Sequence, residues 1–528
     1  MEKRHQVVIV GGGPVGVGLA VELGLRGISC ALVERRTALQ NIPKGQNLSQ
    51  RTLEHFYYWG LVDELRAQRI MPRPYPISGV VAYGNLMSPY WYLPPQRELV
   101  GQYYFQAVDR MPQYLMERVL RMKLETLPNV AAQFGWAAER IEQDAQGARV
   151  AIAEEGGSGR AVIEADYVVG CDGARSLVRE GLGIARGGAD FDQLMVLAVF
   201  RSRAFHEGLK RFPGRSTYNA LDPANKGYWQ FFGRIDVGEG FFFHAPVPAD
   251  TTKDNYDFKS LIYKAAGFSF AVEFDHVGFW DMRVAVAEKY QEGRVFIAGD
   301  AAHSHPPYGG FGLNNGLEDV TNLGWKLAAR LEGWGSDALL QSYSEERRPI
   351  FHETGRDFIE ARITRDRDFL ERYSPERDRA AFERAWGERE KGTADFIASY
   401  EPHYEGSPVV WGPPGGKCSA HGSHSFKARA GHHLPPQELS SGRNVFEELG
   451  ANFALLAFGV EDGIVRGFED AARALRVPLK IVRDTNEGGR EAYGARLMLV
   501  RPDQYVVWTG DGAPADARAV LARVVGRA

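Results

Sequence analysis

The sequence predicts an α/β protein in three parts: a parallel-sheet domain, a mostly antiparallel sheet inserted into it, and a smaller C-terminal α/β unit. Three observations predict this. A glycine-rich turn at Gly11–Gly16 joins a strand to a helix, a later apolar strand ends in Gly299-Asp300, and the segments between are aromatic and alternating. Strands buried on both faces read as continuous apolar runs, whereas half-buried antiparallel strands alternate.

The first strand is Gln6–Val10, and Gly11, Gly13 and Gly16 after it fit the G-x-G-x-x-G spacing. The first glycine permits a tight turn, the second lets backbone approach a pyrophosphate, and the third allows close helix–strand packing. The helix from Pro14 to about Arg26 would offer its N-terminal amides and positive dipole end to phosphates. A second strand, Cys30–Val33, delivers Glu34, eighteen residues past Gly16, followed by Arg35. An acid there accepts hydrogen bonds from a ribose and disfavours a 2′-phosphate, so FAD or NAD is expected rather than NADP.

A third strand, Arg294–Ala298, places Asp300 at its carboxyl end, where open α/β sheets bind ligands. The loop His303–Gly312, with Pro306, Pro307, Gly309 and Gly310, can lie flat against a ring. A helix start at Leu313-Asn314 would present amides to an electron-rich carbonyl edge.

Residues 75 to 110 and 190 to 285 predict the inserted sheet, with Asp236–Glu239 as a hairpin turn between aromatic runs. An aromatic sheet over a cofactor ring would wall a pocket for a planar substrate. His244 and His305 are the polar groups expected to orient such a substrate or accept its proton. Residues 343 to 395 read as solvated, charged helices and 401 to 439 as a Gly/Pro-rich linker. Beyond lie a strand at 453–458, a helix at 464–475, three strands at 479–482, 496–500 and 505–509, and a helix at 516–525.

Together these motifs resemble the fingerprints of the single-component FAD-dependent aromatic hydroxylases. The likeness rests on Gly11–Gly16 with Glu34, Asp172-Gly173, and Gly299-Asp300 with Pro306-Pro307, Gly312, Leu313 and Asn314. It covers residues 1 to about 360. It implies a Rossmann-like FAD-binding domain (1–75, 111–185 and 286–400) and a substrate-binding sheet domain (76–110 and 186–285). It further implies that Asp300 binds the ribityl chain and that Gly312, Leu313 and Asn314 lie against the isoalloxazine. Gln113 resembles the family's flavin-contacting glutamine, and Asp172 would serve both FAD and docking NADH or NADPH. Pro307 belongs to the flavin loop. Lys44 stands where relatives carry arginine, and Phe311 where many carry glutamine. Residues 440–528 resemble a thioredoxin-like domain, here without Cys-x-x-Cys, which leaves it packing or homodimerisation and no group for the reaction.

The activity implied is NAD(P)H- and O2-dependent hydroxylation of a phenolic or related aromatic compound through a flavin C4a-hydroperoxide. The alternatives are epoxidation, Baeyer–Villiger oxidation or oxidative substituent removal on a polycyclic or polyketide substrate, and, outside enzymes, a non-catalytic flavin-binding interaction protein.

Composition bounds these readings. The 528 residues carry 63 Lys+Arg against 67 Asp+Glu, a net charge of −4, so no basic footprint for nucleic acid is present. No apolar span of about 20 residues is seen, and the chain runs straight into its first strand, so neither a membrane segment nor a signal peptide is expected. Cys30, Cys171 and Cys418 are widely spaced, which predicts no disulfide framework, no metal site and a cytoplasmic setting.

Overall fold

The structure, a computed structural model, describes residues 4–528 except 73, 74, 76 and 78, and the side chains of 390–392 also lie outside the description. The expected domain boundary at residue 76 therefore falls outside the described residues.

The strand Arg4–Val10 is fully buried from Val7 to Val10 because it is central in the first sheet. It pairs in parallel with Arg160–Gly170 on one side and Cys30–Glu34 on the other. Val130–Phe134 and Val295–Ile297 extend the parallel sheet, and Trp136–Gln143 and Ala148–Glu154 form an antiparallel flap. The helix Pro14–Leu25 begins with proline at its first position, where the missing N–H costs nothing. It is buried on almost every face, wedged between the sheet and the long helix Phe311–Leu331. Small residues permit that contact: a Cβ on Gly18 would sit 3.1 Å from Leu317.

The second sheet has eight strands in the spatial order 303–304, 273–287, 186–201, 240–247, 230–234, 217–221, 79–83 and 91–92. All its pairings are antiparallel except Thr217–Leu221 with Gly79–Tyr83. The hairpin at Asp236 forms as expected, its carboxylate accepting the Glu239 and Gly240 amides at 3.1 and 3.0 Å. One face of this sheet packs under the helices Arg203–Gly208 and Phe258–Ala266, and the other faces the long helix.

The C-terminal sheet runs Leu479–Asp484, Phe453–Phe458, Leu497–Val500, Val506–Gly510, with the first pair parallel and the rest antiparallel. It does not hang from a free linker. Within 401–439, Glu401, Tyr404, Ser407, Val410, His432 and Leu434 are buried, and Tyr400–Tyr404 pairs with Cys418–His421. Trp325 of the long helix meets Phe453 edge-on at 5.7 Å, so this unit shares a core with the cavity wall.

The helices after residue 337 also differ from the solvated reading. Glu346 and Arg347 are buried, because their partners come from distant segments. Between Asp337–Glu353 and Ala361–Arg372 lies a π-helix, Thr354–Glu360, whose wider turns shift the phase of the helix that follows. Among the described residues no helix is long and apolar enough to cross a membrane.

Candidate active site

One cavity of about 1570 Å³ runs from the glycine-rich turn, past Asp300 and the 305–314 loop, to the inner face of the second sheet. At its nucleotide end the three glycines have separable roles. Gly11 adopts φ +106°, and a Cβ there would lie 2.4 Å from the Cys171 carbonyl oxygen. A Cβ on Gly16 would overlap the Gly11 carbonyl oxygen at 1.9 Å, whereas one on Gly13 meets nothing within 4 Å. Gly13 therefore leaves the cavity open at the helix N-terminus. Glu34 is buried beside it, accepting the Gly12 amide at 2.7 Å and the Arg36 amide at 2.9 Å. Arg35 is exposed on the cavity rim.

Asp172 lines the cavity, but its carboxylate is engaged locally, accepting Ser176 Oγ at 2.5 Å and the Val178 amide at 3.2 Å. Burial raises its carboxyl above the ordinary value against those hydrogen bonds. Asp300 differs. It is open to the cavity and makes no hydrogen bond with the described residues. Surrounding protein raises its carboxyl, opposed by the charges of His303, Lys44 and Arg186. Lys44 donates to Gln40 at 3.2 Å; burial lowers its ammonium, as does Arg36, while Glu117, Asp300 and Glu34 draw it back up. Gln113 lies against Gly45, its backbone N–H donating to the Gly45 carbonyl at 2.8 Å and its amide nitrogen to Glu117 at 2.7 Å.

The loop turns into the long helix through Gly309 and Gly310, both in the left-handed region, so the helix begins at Phe311 rather than Leu313. The amides of Phe311, Gly312 and Leu313 consequently lack intrahelical acceptors. The Asn314 side chain itself is fully committed: it accepts from Ser49 and Thr52 and donates to the Asn47 and Gly310 carbonyls. His305 Nδ1 donates to the Pro306 carbonyl, and its Nε2 has no partner among the described residues. That nitrogen lies 3.3 Å from where a Gly312 Cβ would be. Burial pushes the His305 imidazole down to about 4.

The far wall is the sheet face: Leu194, Leu197, Trp229, Phe231, Phe242 and Trp280. His244 sits within it, stacked on Phe231 at 5.0 Å, with Nδ1 accepting the Trp280 indole N–H at 3.2 Å. Burial pushes it down to about 3, against a hydrogen bond with the Val196 backbone. Its acceptor nitrogen is thus occupied, while that of His305 is not. Trp229 stacks on Tyr308 at 4.5 Å, and its backbone N–H donates to the Tyr308 hydroxyl at 2.9 Å, tying sheet to loop.

Residues late in the chain also line the cavity: Tyr400, Glu401, Pro402, His433 and Tyr505. His403, Glu405 and His432 bring three ligand-type atoms within 4.8 Å of one another. Both His432 nitrogens already bond Glu401 and Glu405, at 3.0 and 2.9 Å. The two imidazoles stack 4.5 Å apart at 15°, which leaves their lone pairs in near-parallel planes that do not converge.

Comparison with known proteins decides the family. A family model described as FAD binding domain matches residues 4–356, and one described as aromatic-ring hydroxylase, C-terminal, matches residues 427–528. This chain is an FAD-dependent aromatic-ring hydroxylase by family. Among its relatives is the rifampicin monooxygenase of Streptomyces venezuelae, 33% identical over 66% of this chain and 69% of that protein. Another is the 4-methyl-5-nitrocatechol 5-monooxygenase of a Burkholderia species, 29% identical over 98% of this chain and 96% of its own length. Among solved structures, RebC with bound 7-carboxy-K252c superposes with a TM-score of 0.86 at 27% identity over the whole of both chains.

The residues of this hydroxylase fit FAD. The space beside Gly13, the free amides at Phe311–Leu313 and the unbonded Asp300 carboxylate are open valences along one cavity. Sequence reasoning singled out the cofactor half and missed Arg97, Tyr308, Arg362 and the C-terminal lining residues. Trp229 and Phe231 were legible only as strand aromatics. Nothing local marks the others, since each reaches the cavity through a contact with a remote element.

Proposed function

We propose that this protein is an NAD(P)H-consuming monooxygenase that uses FAD and O2 to hydroxylate a phenolic or related aromatic compound. The observation that carries the reading is one continuous cavity in which the Pro307–Asn314 segment faces an aromatic sheet. Its 1570 Å³ exceeds the roughly 300–1,000 Å³ of a single-ligand pocket, leaving room for a dinucleotide and a ring together.

In this reading the helix after Gly13 and Gly16 holds the diphosphate, and Glu34 with Arg35 the adenosine end. Asp300 accepts ribityl hydroxyls, with Lys44 and Gln113 flanking. Pro307, Gly312, Leu313 and Asn314 contribute backbone to the flavin ring's face and carbonyl edge, and Asp172 shapes the rim where NADH or NADPH would approach. The chemistry supplied by bound, reduced FAD is activation of O2 for transfer of one oxygen atom to an electron-rich ring. The chain's own groups orient and shield. Trp229, Phe231, Phe242 and Trp280 hold a planar substrate and exclude water. His244 supports that wall, and His305 Nε2, neutral and unengaged, is the hydrogen-bond acceptor that orients a phenolic hydroxyl.

Residues 440–528 form a thioredoxin-like unit whose part is packing. The size of the cavity, with a relative named for rifampicin, favours a polycyclic substrate as a second reading. The test is a panel of phenols, hydroxybenzoates and polycyclic phenols given to FAD-loaded protein with NADH or NADPH. The reading requires coenzyme oxidation stimulated by at least one compound and matched by hydroxylated product. Flavin-loaded protein that oxidises neither coenzyme faster with any aromatic would point to a non-catalytic flavoprotein.

A further inference from the structure

Arg362 stands out among the cavity's guanidinium groups. It is half-buried, lines the cavity, and makes no hydrogen bond or ion pair with the described residues. Its guanidinium carbon lies 3.9 Å from the centre of the Trp229 ring, and Phe396 is 5.9 Å away. Arg97 and Arg110 are engaged: Arg97 donates to the Gly309 carbonyl at 2.9 Å, and Arg110 to Gln46 at 2.7 Å and the Arg234 carbonyl at 2.8 Å. Arg35, Arg36 and Arg175 also have no side-chain partner among the described residues, but they are exposed, whereas Arg362 is half-buried on an indole face.

The charge around Arg362 is unbalanced. Asp366, one turn on, accepts Trp229 Nε1 at 2.7 Å and also bonds Arg389, so its carboxylate serves another cation. Glu401 and Glu318, also on the cavity wall, are paired with Arg429 and Arg51. Burial lowers the Arg362 guanidinium to about 10; Asp366 and Tyr92 oppose this, while Arg365 and Arg389 add to it. The π-helix at Thr354–Glu360 sets the phase that brings this side chain to Trp229. Tyr308, Trp229 and Arg362 then form a stack, with spacings of 4.5 and 3.9 Å, leading from the 305–310 loop to the cation.

We propose that Arg362 is the recognition residue for an anionic substituent, a carboxylate, on the aromatic substrate, held two ring layers from the loop that faces the flavin. This rests on the functional reading above. A planar guanidinium already fixed on an indole face presents its edge N–H groups in the fork that pairs bidentately with a carboxylate. The acid would thereby anchor one end of a planar molecule while the opposite ring lies along Phe231 and Phe242.

The experiment is equilibrium binding to full-length, FAD-loaded protein, read from the perturbation of flavin absorbance. The probes are hydroxybenzoates and hydroxynaphthoates, each paired with the phenol or naphthol lacking the carboxyl group. The proposal expects at least one acid to bind about tenfold or more tighter than its neutral partner. Arg362→Gln should erase that difference while FAD content and the neutral compound's affinity stay unchanged, and Arg362→Lys should retain part of it. No acid preference in the wild type, or the same preference in Arg362→Gln, overturns the proposal. Product analysis on the same samples separates the two claims: Arg362-dependent binding without hydroxylated product would overturn the monooxygenase reading and leave the anion site standing.

Discussion

Arg501 grips both carboxylate oxygens of Glu346, with its two terminal nitrogens 2.8 and 2.9 Å away, although the residues are 155 positions apart. Both side chains are fully buried, and the same arginine holds Asp503 at 2.6 Å. Glu346 also receives Lys326 at 2.7 Å, and these cations hold its carboxyl well below the carboxylate range against burial. This cluster fastens the C-terminal unit to the long helix that carries Gly312 and Asn314. Arg501→Met would strand Asp503 as a buried unpaired charge and leave Glu346 with Lys326 as its one remaining cation, beside the neutral donors Asn322 and Ser407. We expect a loss of about 3–5 kcal/mol in unfolding free energy, measured by denaturant titration of the holoprotein.

Ending the chain after residue 400 goes further. It removes Arg501, the Tyr404 hydroxyl that accepts Arg347 at 3.0 Å, and the Asp503 carbonyl that accepts Arg51 at 2.9 Å. It also uncovers Trp325. The expected outcome is aggregated protein or protein that no longer retains FAD, read by its visible spectrum after gel filtration. A soluble, yellow truncation would show that these buried pairs are dispensable.

How much of this was legible in the sequence depends on the range of the interaction involved. Gly11, Gly13, Gly16 and Glu34 answer to local backbone demands within one strand–helix–strand unit, and spacing reveals them. The C-terminal elements were likewise readable, with Phe453–Phe458 found where expected. The long helix started two residues early because two successive left-handed glycines end the loop, and a residue pattern does not show which φ a glycine takes. Glu346, Arg347 and Arg362 sit in charged helices that look solvated. Their burial or orientation is decided by Arg501, Asp319 and Trp229, which no local pattern links to them.

Asp300→Ala should weaken FAD binding. A carboxylate that accepts hydroxyl hydrogen bonds contributes about 1.5–3 kcal/mol, so affinity should fall by roughly ten- to a hundredfold. Titration of apoprotein with FAD checks this, and unchanged affinity would remove Asp300 from the ribityl role.

Acid should destabilise the fold through its buried histidines. His244 and His305 lie at about 3 and about 4 when folded, below the ordinary 6.5. The unfolded chain therefore binds more protons below pH 6.5, and stability falls as pH drops from there towards the folded values. Each histidine contributes a slope of about 1.4 kcal/mol per pH unit in that window. Melting temperatures between pH 6.5 and 5, above the ordinary carboxylate values, should fall in the wild type. The fall should be shallower in His244→Asn, whose side-chain oxygen can still accept the Trp280 N–H.

The central claim is that this cavity transfers one oxygen atom from O2 to an aromatic ring. Turnover of a responsive substrate under 18O2, with mass analysis of the product, tests it most directly. The account predicts one labelled oxygen atom in each product molecule and none in the same reaction run with 18O-labelled water under ordinary O2. Product labelled only from water, or FAD-loaded protein that consumes O2 yet leaves every aromatic unchanged, would contradict it.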